Sequence, residues 1–311
     1  MTETVLITGA TGLVGTHFLY YYRNRKDVHV KAIYQTNIPE HLEELSKEPW
    51  VTFIKADLTE IGIWTYIPMV DTIIHAATYG QPSVFMANAS STIMLNTNVT
   101  KVFLDEFLNE GGRFLFISTS ELYSGAKTPY TEDMIGTTTP YHPRAPYIEG
   151  KRCGETIVNA YRQKGVDAKS VRLSLAYGEG TRKDDQRVMN QFIQRGIQDG
   201  EIKTRDKGEA LRTYCYVGDA VSMMINILYK GKDAVYNIGG KSTLTIANLA
   251  HVIGDILGVP VNIGDEGGSA GAPEETRMSI YKYENEFGVV DFLPLQEGLA
   301  RTIDFQKSLY L

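Results

Sequence analysis

Tyr147 and Lys151, in the stretch APYIEGKRCGE (residues 145–155), stand four positions apart with a glycine between them. On a helix four residues make about one turn, so the phenol and the ammonium share a face with their polar ends close together. A phenol has a pKa of about 10 and works as a base near neutral pH only if its anion is stabilised, which a neighbouring ammonium does. Such a pair can take the proton of an alcohol while a hydride leaves for an acceptor. An isolated tyrosine and lysine at this spacing is more often plain helix surface, so the chemical reading needs a second feature. The turn TGATGLVG (residues 8–15) provides one. Gly9 permits a tight turn, Gly12 lets the backbone approach a pyrophosphate, and Gly15 allows a helix to lie close to a strand, with the helix amides facing the anion. Thr11, Leu13 and Val14 complete that turn as cofactor-binding candidates. A glycine pattern alone is weak, but its place after the first strand favours a dinucleotide.

The elements that must position these groups follow from the apolar pattern. TVLIT (4–8), VHVKAIY (28–34), VTFIKA (51–56), DTIIHA (71–76), RFLFIST (113–119) and AKSVRLSL (168–175) are β-branched, apolar runs that read as buried parallel strands, each followed by a helical stretch. The alternation predicts an α/β fold, a doubly wound parallel sheet of the Rossmann type whose ligand site lies beyond the carboxyl ends of the strands. After residue 175 the rhythm loosens into a helix near 187–198, short strands near 202–205 and 212–217, and C-terminal helices, which read as a smaller substrate-binding subdomain. The division expected is 1–175 for the dinucleotide domain, with 213–240 returning to it, and 176–212 plus 241–311 for the subdomain. DEGGSAGAPEE (265–275) reads as a mobile loop.

Composition removes other classes. The chain has 311 residues, 43% hydrophobic and 22% charged, enough to bury a full core without the bias of a disordered chain. A net charge of −6 and no long basic run argue against nucleic acid and anionic membrane as partners. With no signal-like or spanning apolar segment, the expectation is a cytoplasmic protein. Cys153 and Cys215 are too few for a disulfide framework, and the histidines form no ligand pair, so no metal site is expected.

The acidic ribose hook expected at the end of the second strand is missing, because Tyr34, Gln35, Thr36 and Asn37 occupy that neighbourhood. NAD is the expected cofactor, with NADP left open. Asp57, in KADLT, can accept from the adenine amino group or serve as an ordinary acid at a helix start.

TGATGLVG, ADL (56–58), HAAT (75–78), NTNV (96–99), STSELY (118–123), YIEGK (147–151) and YVGDAV (216–221) occur in the order of the extended short-chain dehydrogenase/reductase family. Over nearly the whole chain the sequence resembles its nucleotide-sugar epimerase, dehydratase and decarboxylase branch. That resemblance implies that Thr119 holds the substrate hydroxyl for Tyr147, and that Leu58, Ala76, Ala77, Thr78 and Asn98 join Asp57 around the cofactor. It adds Tyr79 to the substrate side. Ser120 and Glu121, beside Thr119, together with PRAPYIEGKRCGE, are most similar to the UDP-glucuronate decarboxylases, which oxidise C4 and release carbon dioxide from the β-keto acid. In that group an arginine on a strand before the YxxD helix assists, and Arg212 stands there, although a structural salt bridge would use it equally well.

The sequence also departs from the family. Leu175 replaces the usual substrate-contacting asparagine, Glu179 the usual proline after glycine, and Ile148 the usual aspartate after the tyrosine. Arg187 and Arg277 are candidates for the diphosphate or are solvated surface charges. The alternatives are a 4-epimerase or 4,6-dehydratase of another nucleotide sugar, or an NAD(P)-sensing regulator on the same fold. The family also implies a homodimer built from the helix starting near residue 92 and the one carrying Tyr147. Phe103, Phe107, Val158 and Tyr161 would cover that interface or an internal core.

Overall fold

The computed structural model describes residues 2–60, 67–266 and 274–311. In chain order the strands of the first half are β1 (Glu3–Thr8), β2 (Val28–Tyr34), β3 (Val51–Lys55), β4 (Val70–His75), β5 (Leu108–Thr119) and β6 (Asp167–Leu173). The second half adds β7 (Leu175–Tyr177), β8 (Ile202–Lys203), β9 (Leu211–Tyr216), β10 (Val235–Ile238), β11 (Ser242–Thr245), β12 (Val261–Asn262) and β13 (Glu275–Thr276). The helices are α1 (Leu13–Tyr22), α2 (Glu40–Glu43), α3 (Pro82–Ala87), α4 (Ala89–Asn96), α5 (Asn98–Val102), α6 (Ala145–Gln163), α7 (Val188–Gln198), α8 (Val217–Lys230), α9 (Ile246–Leu257), α10 (Tyr281–Phe287) and α11 (Leu295–Tyr310).

A parallel seven-stranded sheet in the order β10-β6-β5-β4-β1-β2-β3 forms the main body. Because successive side chains on a strand point to opposite faces, a strand buried on both sides feeds two cores. On β1, Val5 and Ile7 enter one core with α1 and α8, while Leu6 enters the other. On β5, Leu115 and Ile117 join the first, and Phe114 and Phe116 join the second, which packs against α4, α5 and α6. This is the doubly wound fold that the alternating pattern predicts.

The six expected strands are present, and β10 adds a seventh. Its four residues are too short to show a period. The helix expected near residue 92 is broken at Thr97 into α4 and α5 and ends in a π-helical turn over Phe103–Phe107. Phe103, Phe107 and Val158 are 0%, 7% and 1% exposed within the second core, so the internal alternative accounts for these three. The Tyr161 hydroxyl donates to Asp105.

The smaller lobe has a sheet of β11, β9 and β13, with β7 on β9, and its own core of Phe192, Ile193, Tyr214, Leu249, Ile253 and Leu299. Within the stretch read as a mobile loop, residues 267–273 lie outside the described residues, while Glu275 opens β13 against Leu211 of β9.

One polar network fixes the carboxyl edge of the large sheet. His75 is 1% exposed, and burial together with the Lys151 charge lowers its pKa to about 3, so the ring is neutral. Its Nε2 faces the Leu95 carbonyl at 2.8 Å and must donate there, which leaves Nδ1 as an acceptor for the Thr8 hydroxyl at 2.8 Å. The Thr8 oxygen in turn accepts from the Ala76 and Ala77 amides at 3.1 and 3.0 Å. Thr8→Val keeps the shape and removes the hydroxyl, so it should cost about 1–3 kcal/mol, chiefly by leaving the buried His75 ring nitrogen unpaired. Urea unfolding should show that loss for Thr8→Val, and a much smaller one for Thr8→Ser.

Candidate active site

At that edge a cavity of about 340 Å³ runs past Gly9 and Gly12 at one end and Gln35 and Asp57 at the other, with Ala76, Ala77, Thr78 and Tyr79 along its wall. The fit to a dinucleotide can be judged from the backbone. Gly9 has φ +66°, and a Cβ there would sit 3.0 Å from the Ala77 backbone. Among the described residues no side chain caps α1 at Gly12 and no acid lies in its first turn, so the helix presents open amides to an anion. The residues present therefore suit NAD. Thr11 and Leu58 line the cavity, whereas Leu13 and Val14 turn into the first core and Gly15 is buried beneath them. Tyr79, expected on the substrate side, lines this cavity as well. Asn98, expected at the cofactor, is exposed at the start of α5. Asn96 is the buried amide: its Nδ2 donates to Thr78 Oγ1 at 3.2 Å, and its Oδ1 has no partner. The break at Thr97 shifts the helical phase, which the sequence does not reveal.

Helix α6 can approach β5 and α4 because Gly154 has no side chain. A Cβ there would lie 2.5 Å from the Asn96 carbonyl and 2.4 Å from the Phe116 ring. That approach buries both Tyr147 and Lys151, which are 8% and 2% exposed. No hydrogen bond joins the Lys151 ammonium to the Tyr147 phenol. The ammonium donates to the Ile117 carbonyl at 2.5 Å and lies 4.6 Å from the centre of the Phe116 ring. Burial lowers its pKa to about 7, with the Glu155 charge pulling the other way. The Tyr147 phenol is pushed up to about 12, first by burial and then by the Glu121 charge, while the Thr119 side chain, Arg187 and Arg144 act in the opposite sense.

Two residues unmarked in the sequence complete this centre. The Phe85 ring stacks on Tyr147 with centroids 4.6 Å apart, and the Arg144 guanidinium covers Phe85 at 5.5 Å. Arg144 also grips Glu121, donating from Nε at 2.9 Å and from a terminal nitrogen to the second oxygen. Both Glu121 oxygens are thus taken up by Arg144. The Thr119 Oγ1 accepts from the Glu121 amide at 3.2 Å and ties the strand end to the turn that follows.

A second cavity, of about 610 Å³, is lined by Ser120, Glu121, Arg144, Ser174, Leu175 and Arg212, among others. Arg212 bonds only the Leu211 carbonyl, at 2.7 Å, and among the described residues no carboxylate pairs with it. Burial lowers its pKa, partly offset by Tyr214 and Tyr130. The structural salt bridge that was the other reading for Arg212 is therefore missing among the described residues. Arg187 is held by the buried Asp185, with Nε contacts of 2.9 and 3.0 Å, and Arg277 pairs with Glu275 at 3.1 Å. Neither lines this cavity. Leu175 does line it, as does Ser174, whose buried hydroxyl is unpaired. Among the described residues no cluster of metal ligands occurs, and no helix is long and apolar enough to cross a membrane.

The chain belongs to the NAD dependent epimerase/dehydratase family, whose profile matches residues 5–239. It is an NAD-dependent enzyme of the extended short-chain dehydrogenase/reductase type, in the group of nucleotide-sugar decarboxylases, epimerases and dehydratases. UDP-glucuronic acid decarboxylase 1 of Xenopus tropicalis is 30% identical over 99% of this chain and 73% of its own length. UDP-glucuronic acid decarboxylase 6 of Arabidopsis thaliana is 28% identical over 95% and 86%. The fold is shared with the UDP-glucuronic acid 4-epimerase of Bacillus cereus, at TM-score 0.82 and 22% identity over 99% of this chain and 100% of that one. It is shared too with the dTDP-glucose 4,6-dehydratase of Bacillus anthracis, at TM-score 0.80 and 18% identity over 99% and 97%.

Lys151 gives a pH signature. The unfolded chain holds its proton up to the ordinary lysine pKa, while the folded chain releases it near 7. Between these values the unfolded state binds more protons, so this group makes stability rise with pH from about 7 to about 10. Lys151→Met should flatten that rise in denaturant titrations across the same pH range and raise stability near neutrality.

Proposed function

We propose that the chain is a UDP-glucuronate decarboxylase: C4 of the sugar is oxidised, carbon dioxide leaves from C5 of the β-keto acid, and C4 is reduced again. The observation that carries this reading is Arg212, a half-buried guanidinium without a carboxylate partner among the described residues, on the same cavity wall as Ser120 and Glu121. A cation in that position suits a substrate carboxylate, since charged pairs away from bulk water bind strongly. The full-length likeness to enzymes named UDP-glucuronic acid decarboxylase supports the same substrate.

When bound, NAD supplies the hydride acceptor and a positive charge at the nicotinamide ring. The protein's own part is proton handling and placement. As the phenolate, Tyr147 takes the C4 hydroxyl proton and returns it when C4 is reduced, and Thr119 steadies that hydroxyl; burial pushes the phenol pKa up, so the anion depends on the positive charge that Lys151 and an oxidised nicotinamide bring. The buried Lys151 ammonium lies on the same helix, one turn on, and supports the phenolate. Arg212 holds the carboxylate end of the sugar until carbon dioxide departs with its bonding electrons left in the enolate, which then takes a proton at C5. Eliminating water would ask for an acid that can protonate a leaving hydroxyl. Glu121, with both oxygens taken up by Arg144, is poorly placed for that task, which disfavours a dehydratase. Ser174 offers a hydroxyl beside Leu175, where the family usually carries an amide.

Incubation with UDP-glucuronate should release carbon dioxide and give the corresponding UDP-pentose without net accumulation of NADH. A product of unchanged mass would replace decarboxylation by 4-epimerisation, and no product would reject the substrate. Arg212→Leu should raise KM for UDP-glucuronate by about 10–100-fold, the loss expected for one hydrogen bond to a charged group. Tyr147→Phe should lower kcat by about 10²–10⁴-fold, whereas a regulator that merely senses the dinucleotide would keep its function. The proposal extends to a homodimer through α4 and α6, as the family resemblance implies. Ile93 on α4 and Met86 on α3, both large and apolar, are 43% and 42% exposed. Light scattering should give twice the chain mass, and Ile93→Glu should reduce it to one.

A further inference from the structure

We infer that Gln35, oriented by Asp57, reads the adenosine ribose of the dinucleotide and makes this protein select NAD over NADP. In a dinucleotide fold the residue just past the second strand meets the ribose hydroxyls, and an acid there usually accepts from the 2′-hydroxyl. In this chain β2 ends at Tyr34, and Gln35 lines the dinucleotide cavity. The next strand over, β3, ends at Lys55, so Asp57 arrives beside Gln35 from the neighbouring strand and lines the same wall.

The hydrogen bonds decide which way the amide faces. Asp57 Oδ1 accepts from the Thr59 amide at 2.9 Å and the Thr59 hydroxyl at 2.7 Å, and Oδ2 accepts from Gln35 Nε2 at 2.8 Å. Burial alone would raise the Asp57 pKa, but these donors outweigh it and hold the carboxyl below its usual range. An ionised carboxylate only accepts, so Gln35 must turn its NH₂ toward Asp57. Its Oε1 then has no protein partner among the described residues. A neutral carbonyl oxygen does what the missing acid would do, accepting from a ribose hydroxyl, while the negative charge stands one side chain behind it. This occupies Asp57 with orienting Gln35 rather than with the adenine amino group.

The same arrangement rejects a 2′-phosphate. That group would bring its charge against an acceptor oxygen and a carboxylate, with no cation to offset either. Among the described residues the only lysine or arginine on this wall is Arg182, and it is tied to Asp184 through contacts of 2.9 and 3.0 Å.

The test is competitive loading, with no sugar substrate present, so it is independent of the decarboxylation reading. Purified protein is exchanged against mixtures of isotopically labelled NAD and NADP, and the bound nucleotide is released and measured by mass spectrometry. Wild type should favour NAD by about 100-fold or more, as repulsion of an unpaired phosphate predicts. Gln35→Ala should cut NAD binding about tenfold, the worth of one hydrogen bond, and narrow the ratio accordingly. Gln35→Arg, placed against Asp57, should move the ratio toward NADP. Because Gln35 is exposed, these variants should melt as wild type does, and Asp57→Asn gives an independent loss of orientation. A wild-type preference for NADP would overturn the inference. So would a ratio within about twofold of wild type in both Gln35→Ala and Asp57→Asn.

Discussion

The Thr8 hydroxyl joins parts of the chain that meet only through tertiary folding. It gives its proton to His75 and accepts two amides from the Ala76–Ala77 turn, while His75 passes the link on to the end of α4. Thr8 and His75 are both buried, so water cannot readily take the place of either if the geometry slips. The consequence is a rigid seam between β1 and β4, with Gly9 pressed against the Ala77 backbone. The glycine turn and the wall facing it are thus tied together by the Thr8 side chain beyond the pairing of β1 with β4, and the helix carrying Tyr147 and Lys151 is packed against the same α4.

Dryness is the second organising property. Burial raises the Tyr147 pKa and lowers the Lys151 pKa, so it works against the charged form of both groups. A buried phenol forms its anion only when positive charge enters the pocket, as an oxidised nicotinamide would bring it. The stacked series Tyr147, Phe85, Arg144 joins the two cavities: Val84, next to Phe85, lines the first, and Arg144 lines the second. The larger cavity carries its positive charge on Arg212 and on the paired Arg144, which is the polarity an anionic sugar needs.

Much of the fold was legible because parallel strands buried on both faces are written as unbroken β-branched runs, and the glycine turn sits at the end of the first of them. The tyrosine and lysine could be placed on one helix face by spacing alone. Their partners could not. Lys151 turns to Ile117 because the sheet supplies a carbonyl there, and Phe85, Arg144 and Ser174 reach the site through tertiary packing that leaves no local pattern, as does the pairing of Gln35 with Asp57. Asn98 and Asn96 differ by two positions in sequence, yet a break in one helix decides which is buried. The strand β10 was missed for the same kind of reason: VYNI is too short to carry a signal until β6 offers it an edge.

That late strand bears on biosynthesis. β6 is flanked by β5 on one side and by β10 on the other, and β10 begins only at Val235. While a ribosome is still making the intervening residues, β6 exposes a row of bare amides and carbonyls, the kind of edge along which chains stick to one another. A truncated product stopping near residue 175 would keep that open margin permanently and should clump rather than behave as an autonomous module.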